Sequence, residues 1–276
     1  MKVVLFCGGY GMRLREYSES IPKPMVPVGY RPILWHVMKY YAHFGHKDFI
    51  LCLGWKADVI KDYFLNYDEC VSNDFVLTSG GSAVRLLNSD IQDWNITFVD
   101  TGASSNIGGR LRRVQHLLEG EKTFLANYTD GLCDLDLPTQ ISFHQRRKAV
   151  ATFTSVRPNQ SFHAVAADDD GRVHTLQPIS DSDIWMNGGF FVFDQEIFSW
   201  MGEGEELVAE PFQRLAEARR LSTLKHHGFW GCMDTYKEKQ ALDERMARGD
   251  TPWEVWKKPS KADARGPALP IASEVA

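Results

Sequence analysis

The chain contains no run of eighteen apolar residues, so nothing in it reads as a membrane-crossing helix. The apolar stretch near its start is also far too short for a secretory signal. Cysteine is sparse: Cys7, Cys52, Cys70, Cys133 and Cys232 are odd in number and widely scattered, and no two form a CxxC pair. That pattern argues against a disulfide framework or a zinc site and fits reduced thiols in a cytoplasm. A dense Lys/Arg stretch with interleaved aromatics is missing as well, and 31 basic against 36 acidic residues leave a net charge of -5. Nucleic acid, which calls for a basic face, is therefore not an expected partner, and neither is a membrane. No Gly-Lys-Ser or Gly-Lys-Thr occurs, which excludes a P-loop. A dinucleotide fingerprint fails too, because Leu14 stands where its last glycine belongs and the second strand-like run ends in Leu53-Gly54 rather than in an acid. No Ser-His-Asp or Cys-His arrangement and no solenoid repeat are present.

What is present is 276 residues with 43% hydrophobic content, enough for one large α/β domain or two small ones. Strand-like runs at Val3 to Phe6, Phe49 to Leu53, Ile96 to Val99, Thr123 to Ala126 and Ala149 to Ser155 alternate with helix-like ones. The helical runs are a proline-started segment from Pro32 through Tyr41, then Ala57 to Phe64, Gly108 to Leu118 and Thr139 to Arg147. This alternation predicts a Rossmann-like, doubly wound, mostly parallel sheet, which binds ligands at the carboxyl ends of its strands. After residue 155 turn signals dominate: Asp168-Asp169-Asp170-Gly171 separates two short strand-like runs, and Asn187-Gly188-Gly189 precedes Phe190 to Phe193. We read residues 1–155 as a nucleotide-binding core and 156–256 as a small β-rich, acceptor-facing lid region of the same domain. A last helix of about Thr235 to Arg248 follows, and residues 257–276 read as a disordered tail.

The richest stretch opens the chain, where Val3-Val4-Leu5-Phe6 runs into Gly8-Gly9-Tyr10-Gly11-Met12-Arg13-Leu14, with Lys23-Pro24 beyond. A buried strand ending in glycines brings bare backbone amides close to phosphate oxygens, because no β-carbon holds them off. Arg13 and Lys23 add a forked and a compact positive charge, a pairing that suits a triphosphate. Phosphoryl chemistry also needs a divalent cation held by carboxylates. Asp130, in Asn127-Tyr128-Thr129-Asp130-Gly131, reads as a ligand or as a turn-former. Asp234, before Thr235, reads as a second ligand or as a helix N-cap. Arg110, in Gly108-Gly109-Arg110, reads as an anion contact or, with Arg112 and Arg113, as a solvated face. Asn187 either hydrogen-bonds a hydroxyl-rich ligand or shapes a turn. His163 and the His226-His227 pair read as surface residues, since no third ligand stands at zinc spacing.

Taken together, these motifs with Pro32-Ile33-Leu34-Trp35-His36, Asp100-Thr101-Gly102 and Phe229-Trp230 resemble bacterial sugar-1-phosphate nucleotidyltransferases, the glucose-1-phosphate cytidylyltransferases above all. The resemblance runs from residue 1 to about Trp256. It implies a homo-oligomeric cytoplasmic enzyme that joins a nucleoside triphosphate, CTP by preference, to a sugar 1-phosphate, releasing pyrophosphate. It further implies that Gly8, Gly9, Gly11 and Arg13 cradle the triphosphate and that Lys23 neutralises charge at the reacting centre. Asp130 and Asp234 would hold Mg²⁺, Thr101 and Gly102 would lie near the base, and Arg110, Asn187 and Gly188 would help place phosphate or sugar. Two positions depart from the pattern. Met12 replaces the usual threonine, at a loss of about 1 kcal/mol for one neutral hydrogen bond. Leu176-Gln177-Pro178 replaces Glu-Lys-Pro, whose lysine meets the sugar phosphate, and Arg157 is the candidate to supply the missing charge. A different nucleotide or a pseudo-sugar acceptor, and a silent nucleotide-binding regulator, are the alternatives.

Overall fold

Strands buried on both faces need apolar side chains at every position, and the four residues Val3–Phe6 meet that demand without exception. In the computed structural model, which describes residues 1–9, 21–159 and 162–257, this strand lies at the centre of an eight-stranded sheet. Asp48–Leu53 and Thr123–Tyr128 flank it, both parallel, and Asn95–Asp100 lies parallel beyond Asp48–Leu53. On the other side Phe191–Asp194 pairs antiparallel with Thr123–Tyr128. Ala151–Val156 then pairs antiparallel with Phe191–Asp194, and Leu221–Lys225 runs parallel to Ala151–Val156 at the edge.

Side chains of period two divide the core between the two faces. Val3, Leu5, Leu51 and Leu125 pack with Ile33, Met38 and Phe190, whereas Val4, Phe6, Ile50 and Phe124 pack with Leu111 and Phe212. The helices Ile33–His43 and Leu137–Arg147 start beside Pro32 and Pro138, as proline chemistry favours. The single helix expected over Gly108 to Leu118 is instead two pieces. Ile107–Arg113 is α-helical and Gln115–Leu118 is a 3-10 turn, broken at Val114, whose amide donates back to Leu111 O at 3.3 Å.

The Asp168 to Gly171 signal forms a hairpin of His163–Ala167 against Val173–Pro178, off the main sheet. Phe190 to Phe193 has another fate. Phe191, Val192 and Phe193 are fully buried, and a strand with no exposed face has to lie inside the sheet rather than in a lid. Among the described residues no helix is long and apolar enough to cross a membrane.

The chain steps from Val3–Phe6 outward to Asp48–Leu53 and Asn95–Asp100, then returns to the opposite side at Thr123–Tyr128. Sheets of this kind bind ligands where strand order reverses, which here is at the carboxyl ends of Val3–Phe6 and Thr123–Tyr128.

Candidate active site at the strand reversal

Asp130 lies two residues beyond the end of Thr123–Tyr128. Past it, Gly131–Cys133 pairs antiparallel with Trp230–Cys232, Gly131 opposite Cys232, and Met233 N donates to Asp130 O at 2.8 Å. This short ladder brings Asp234 beside Asp130 despite their distance in sequence. Between them stands Lys23, whose Nζ donates to Asp130 Oδ2 at 2.6 Å and to Asp234 Oδ1 at 2.5 Å. Burial alone would lower the Lys23 pKa, but Asp130 and Asp234 outweigh it and the net shift is upward, so the group stays an ammonium.

The cap reading of Asp234 finds no support in this geometry. Thr235 caps the helix Tyr236–Ala247 in a capping box with Glu238, accepting from Glu238 N at 3.3 Å. The Asp234 carboxylate is turned to Lys23 instead. Cys232 offers a sulfur within 4.8 Å of both carboxylates, and burial followed by the two aspartates pushes its thiol pKa well up. The donors left are carboxylate oxygens, which suit a hard divalent cation.

Arg110 is 2% exposed and turns away from solvent, toward the loops that follow three strand ends. Its Nη1 donates to Leu53 O at 3.1 Å and to Thr101 Oγ1 at 2.8 Å, and its Nη2 donates to Gly8 O at 2.8 Å and to Ala103 O at 3.2 Å. Arg110 thus ties three loops together by their carbonyls, while Arg113 takes the exposed face. Thr101, fully buried, belongs to the same knot, and Gly102 turns the chain at φ +86 with its amide on Asp100 Oδ1 at 2.9 Å. A β-carbon on Gly8 would lie 1.8 Å from Arg110 Nη1, whereas one on Gly9 would meet nothing within 4 Å among the described residues. Of the two glycines, Gly8 is required by packing, and among the described residues nothing crowds Gly9. Gly54, which the sequence reading passed over, has the same constraint: its β-carbon would fall 2.8 Å from Gly8 O. Gly11 and Arg13 lie outside the described residues.

Asn187 and Gly188 close the other wall. Asn187 Oδ1 accepts from Gly189 N at 3.0 Å, the contact of a turn-former, and Gly188 O accepts from Trp230 Nε1 at 2.9 Å. With Tyr128, Asp130, Trp230 and Asp234 they line a cavity of about 390 Å³. A neighbouring cavity of about 770 Å³ shares Trp230, Cys232 and Asp234 and extends over Phe229 to Arg245.

Residues 2–231 match the family described as nucleotidyl transferase. The chain belongs to that family. Glucose-1-phosphate cytidylyltransferase of Salmonella typhi is 39% identical over 258 residues, covering 93% of this chain and all of that protein. A UTP–glucose-1-phosphate uridylyltransferase of Synechocystis sp. is 25% identical, over 79% of this chain and 56% of its own. Among solved structures, UDP-glucose pyrophosphorylase complexed with UDP-glucose superposes with a TM-score of 0.65 at 14% identity, covering 90% of this chain and 98% of that one. At that identity the likeness speaks for the fold.

In this nucleotidyl transferase two sequence-derived candidates stand apart from the carboxylates. Arg157 stacks on Trp185 at 4.6 Å, lies 3.7 Å from Asp183 and donates to Ser182 O. Gln177 sits in the separate hairpin opposite Ala164. Neither lines the two cavities above.

The histidine pair is also divided. His227 is exposed, but His226 is only 12% exposed because its Nε2 meets Asp134 Oδ1 at 2.9 Å, a partner supplied from a distant strand end. The same Asp134 oxygen accepts from Phe229 N at 2.8 Å, while Asp134 N donates to Phe229 O at 3.2 Å. This clamp closes the ladder at the end opposite Asp130 and Asp234. Asp134→Ala is expected to cost about 1–3 kcal/mol of stability, because it strands the Phe229 amide and the imidazole. Turnover should fall with it, since Trp230–Cys232 carries Asp234. Denaturant unfolding together with pyrophosphate-release rates checks this, and an unchanged unfolding midpoint would show that the clamp is dispensable.

Proposed function

We propose that the protein joins CTP and a sugar 1-phosphate of the glucose 1-phosphate kind, giving a CDP-sugar and pyrophosphate. The observation that carries this reading is the Lys23, Asp130 and Asp234 cluster at the strand reversal, where sheets of this type bind nucleotides. The 39% identity to a full-length cytidylyltransferase favours the cytosine nucleotide over the uridine one of the 25% relative. Asp130 and Asp234 would hold the divalent cation, which we take to be Mg²⁺ and which would supply charge neutralisation at the phosphates when bound.

The remaining chemistry falls to the chain itself. A sugar phosphate oxygen attacks the α-phosphorus in line with the leaving pyrophosphate, and an acceptor already ionised near neutral pH needs no general base. Positioning and fixed positive charge then suffice. Gly9 offers a backbone without a shielding side chain, and we assign Gly11 and Arg13 to the same triphosphate contact. The Arg110 and Thr101 knot with Gly8 and Gly102 holds the nucleotide side of the floor in place. Asn187 and Gly188 shape the acceptor wall. We place the reaction in the cytoplasm, in a homo-oligomer.

A pyrophosphate-release screen of CTP, UTP, dTTP, ATP and GTP against a panel of sugar 1-phosphates tests this. CTP with a hexose 1-phosphate should give the fastest release. No release from any pair would sink the enzymatic reading and leave a nucleotide-binding regulator.

Gln177 lies in the separate hairpin and lines neither cavity, so Gln177→Lys is expected to leave the KM for glucose 1-phosphate within about twofold of the natural value, although a charge-assisted contact there would be worth about 1.5–3 kcal/mol, roughly ten- to a hundredfold. Arg157→Ala should raise the acceptor KM and spare that for the triphosphate, since Arg157 supports the segment leading into Met186–Asn187. Acceptor kinetics of both variants decide the matter: a lowered KM in Gln177→Lys would bring that hairpin to the acceptor, and silence in Arg157→Ala removes its supporting role.

A further inference from the structure

The Lys23 ammonium and a divalent cation would compete for the same two carboxylates. Nζ spans Asp130 Oδ2 at 2.6 Å and Asp234 Oδ1 at 2.5 Å, with the lysine side chain only 14% exposed. Asp130 and Asp234 would hold a hard cation close to where the ammonium stands, and two positive centres on one pair of carboxylates repel each other strongly. We infer that Lys23 is a built-in counter-ion that holds the metal site closed and yields it only when phosphates offer the ammonium another partner. The inference rests on the reading of Asp130 and Asp234 as the metal site.

The local structure suits an exchange of side-chain position with little backbone movement. Lys23 opens a 3-10 turn, Lys23–Met25, set between Pro22 and Pro24, with Pro24 and Met25 buried. The two prolines fix the main chain, and the four rotatable carbons of the lysine stem let the ammonium change partner once an anion competes for it. Displaced from the carboxylates, the ammonium requires an anion nearby, and in a crevice built for a triphosphate that anion arrives with the substrate. Metal and nucleotide then bind with positive coupling, and Lys23 is the coupler. By reciprocity each ligand tightens the other by the same factor. The protein so arranged stays largely metal-free until it holds its nucleotide.

Binding of Mn²⁺, followed by electron paramagnetic resonance and calorimetry on the full chain, tests this without turnover. Lys23→Met removes the charge at nearly constant shape, and Lys23→Gln serves as a second neutral variant should the first lose its near-UV dichroism. In the absence of nucleotide either neutral variant is expected to bind Mn²⁺ about tenfold or more tighter than the natural protein, while Lys23→Arg binds it weakly. A non-hydrolysable CTP analogue should tighten Mn²⁺ strongly in the natural protein and little in the neutral variants. Equal or weaker Mn²⁺ binding by both neutral variants overturns the counter-ion role. If Asp130→Asn placed on top of Lys23→Met leaves Mn²⁺ affinity unchanged, the metal site itself is misplaced, and both readings fall.

Discussion

Asp130→Asn and Asp234→Asn are each expected to lower metal-dependent kcat by about a hundredfold or more while the protein stays folded. An amide keeps the shape of the side chain but offers a cation a neutral oxygen, and the charge is what a hard divalent ion needs. Each substitution also leaves the Lys23 ammonium with one carboxylate instead of two. The structural cost should stay near 1 kcal/mol, because the two side chains are 28% and 27% exposed and solvent screens part of the loss. The ladder of Gly131–Cys133 and Trp230–Cys232 is made by backbone groups that neither change touches. Thermal unfolding and pyrophosphate release across a Mg²⁺ titration separate the two effects. Near-natural rates at limiting Mg²⁺ in either variant would remove that aspartate from the site.

Gly8→Ala and Gly9→Ala, one residue apart, are expected to fail in different ways. The new β-carbon at Gly8 falls 1.8 Å from Arg110 Nη1 and 2.2 Å from its Cζ, so the guanidinium has to leave its place. Once moved, Arg110 can no longer satisfy Leu53 O and Gly8 O from beneath the loop. Overpacking of this kind costs about 1–3 kcal/mol, and the misplaced floor should abolish most triphosphate binding as well. At Gly9 the β-carbon meets nothing within 4 Å among the described residues, so the unfolding midpoint should hold. Only the approach of phosphate to the loop is then obstructed, and the triphosphate KM should rise. Unfolding midpoints measured beside CTP kinetics read out the contrast. A stable, active Gly8→Ala protein would mean that Arg110 is not the support the loop depends on.

The local elements of this protein were written in its local sequence. Val3 to Phe6 is a continuous apolar run and forms the doubly buried central strand; Pro32 starts a helix; Asp168 to Gly171 makes a hairpin. Each follows from period or from turn chemistry within a few residues, which is why each was legible. The residue types of the site were legible for the same reason, with Gly8 and Gly9 at a strand end and Asp130 at another. What those residues touch was settled elsewhere. The fate of Phe191–Asp194 depended on the sheet it had to fill, and Arg110 turned inward because Leu53, Thr101 and Gly8 converge there from three separate strand ends. His226 left the surface for Asp134, and Lys23 found both aspartates across a ladder whose register no short window contains. Short-range patterns specify how a segment folds, because the backbone and its neighbouring side chains are already at hand. Which oxygen faces which nitrogen depends on strand order and register, and these exist only once distant segments have packed.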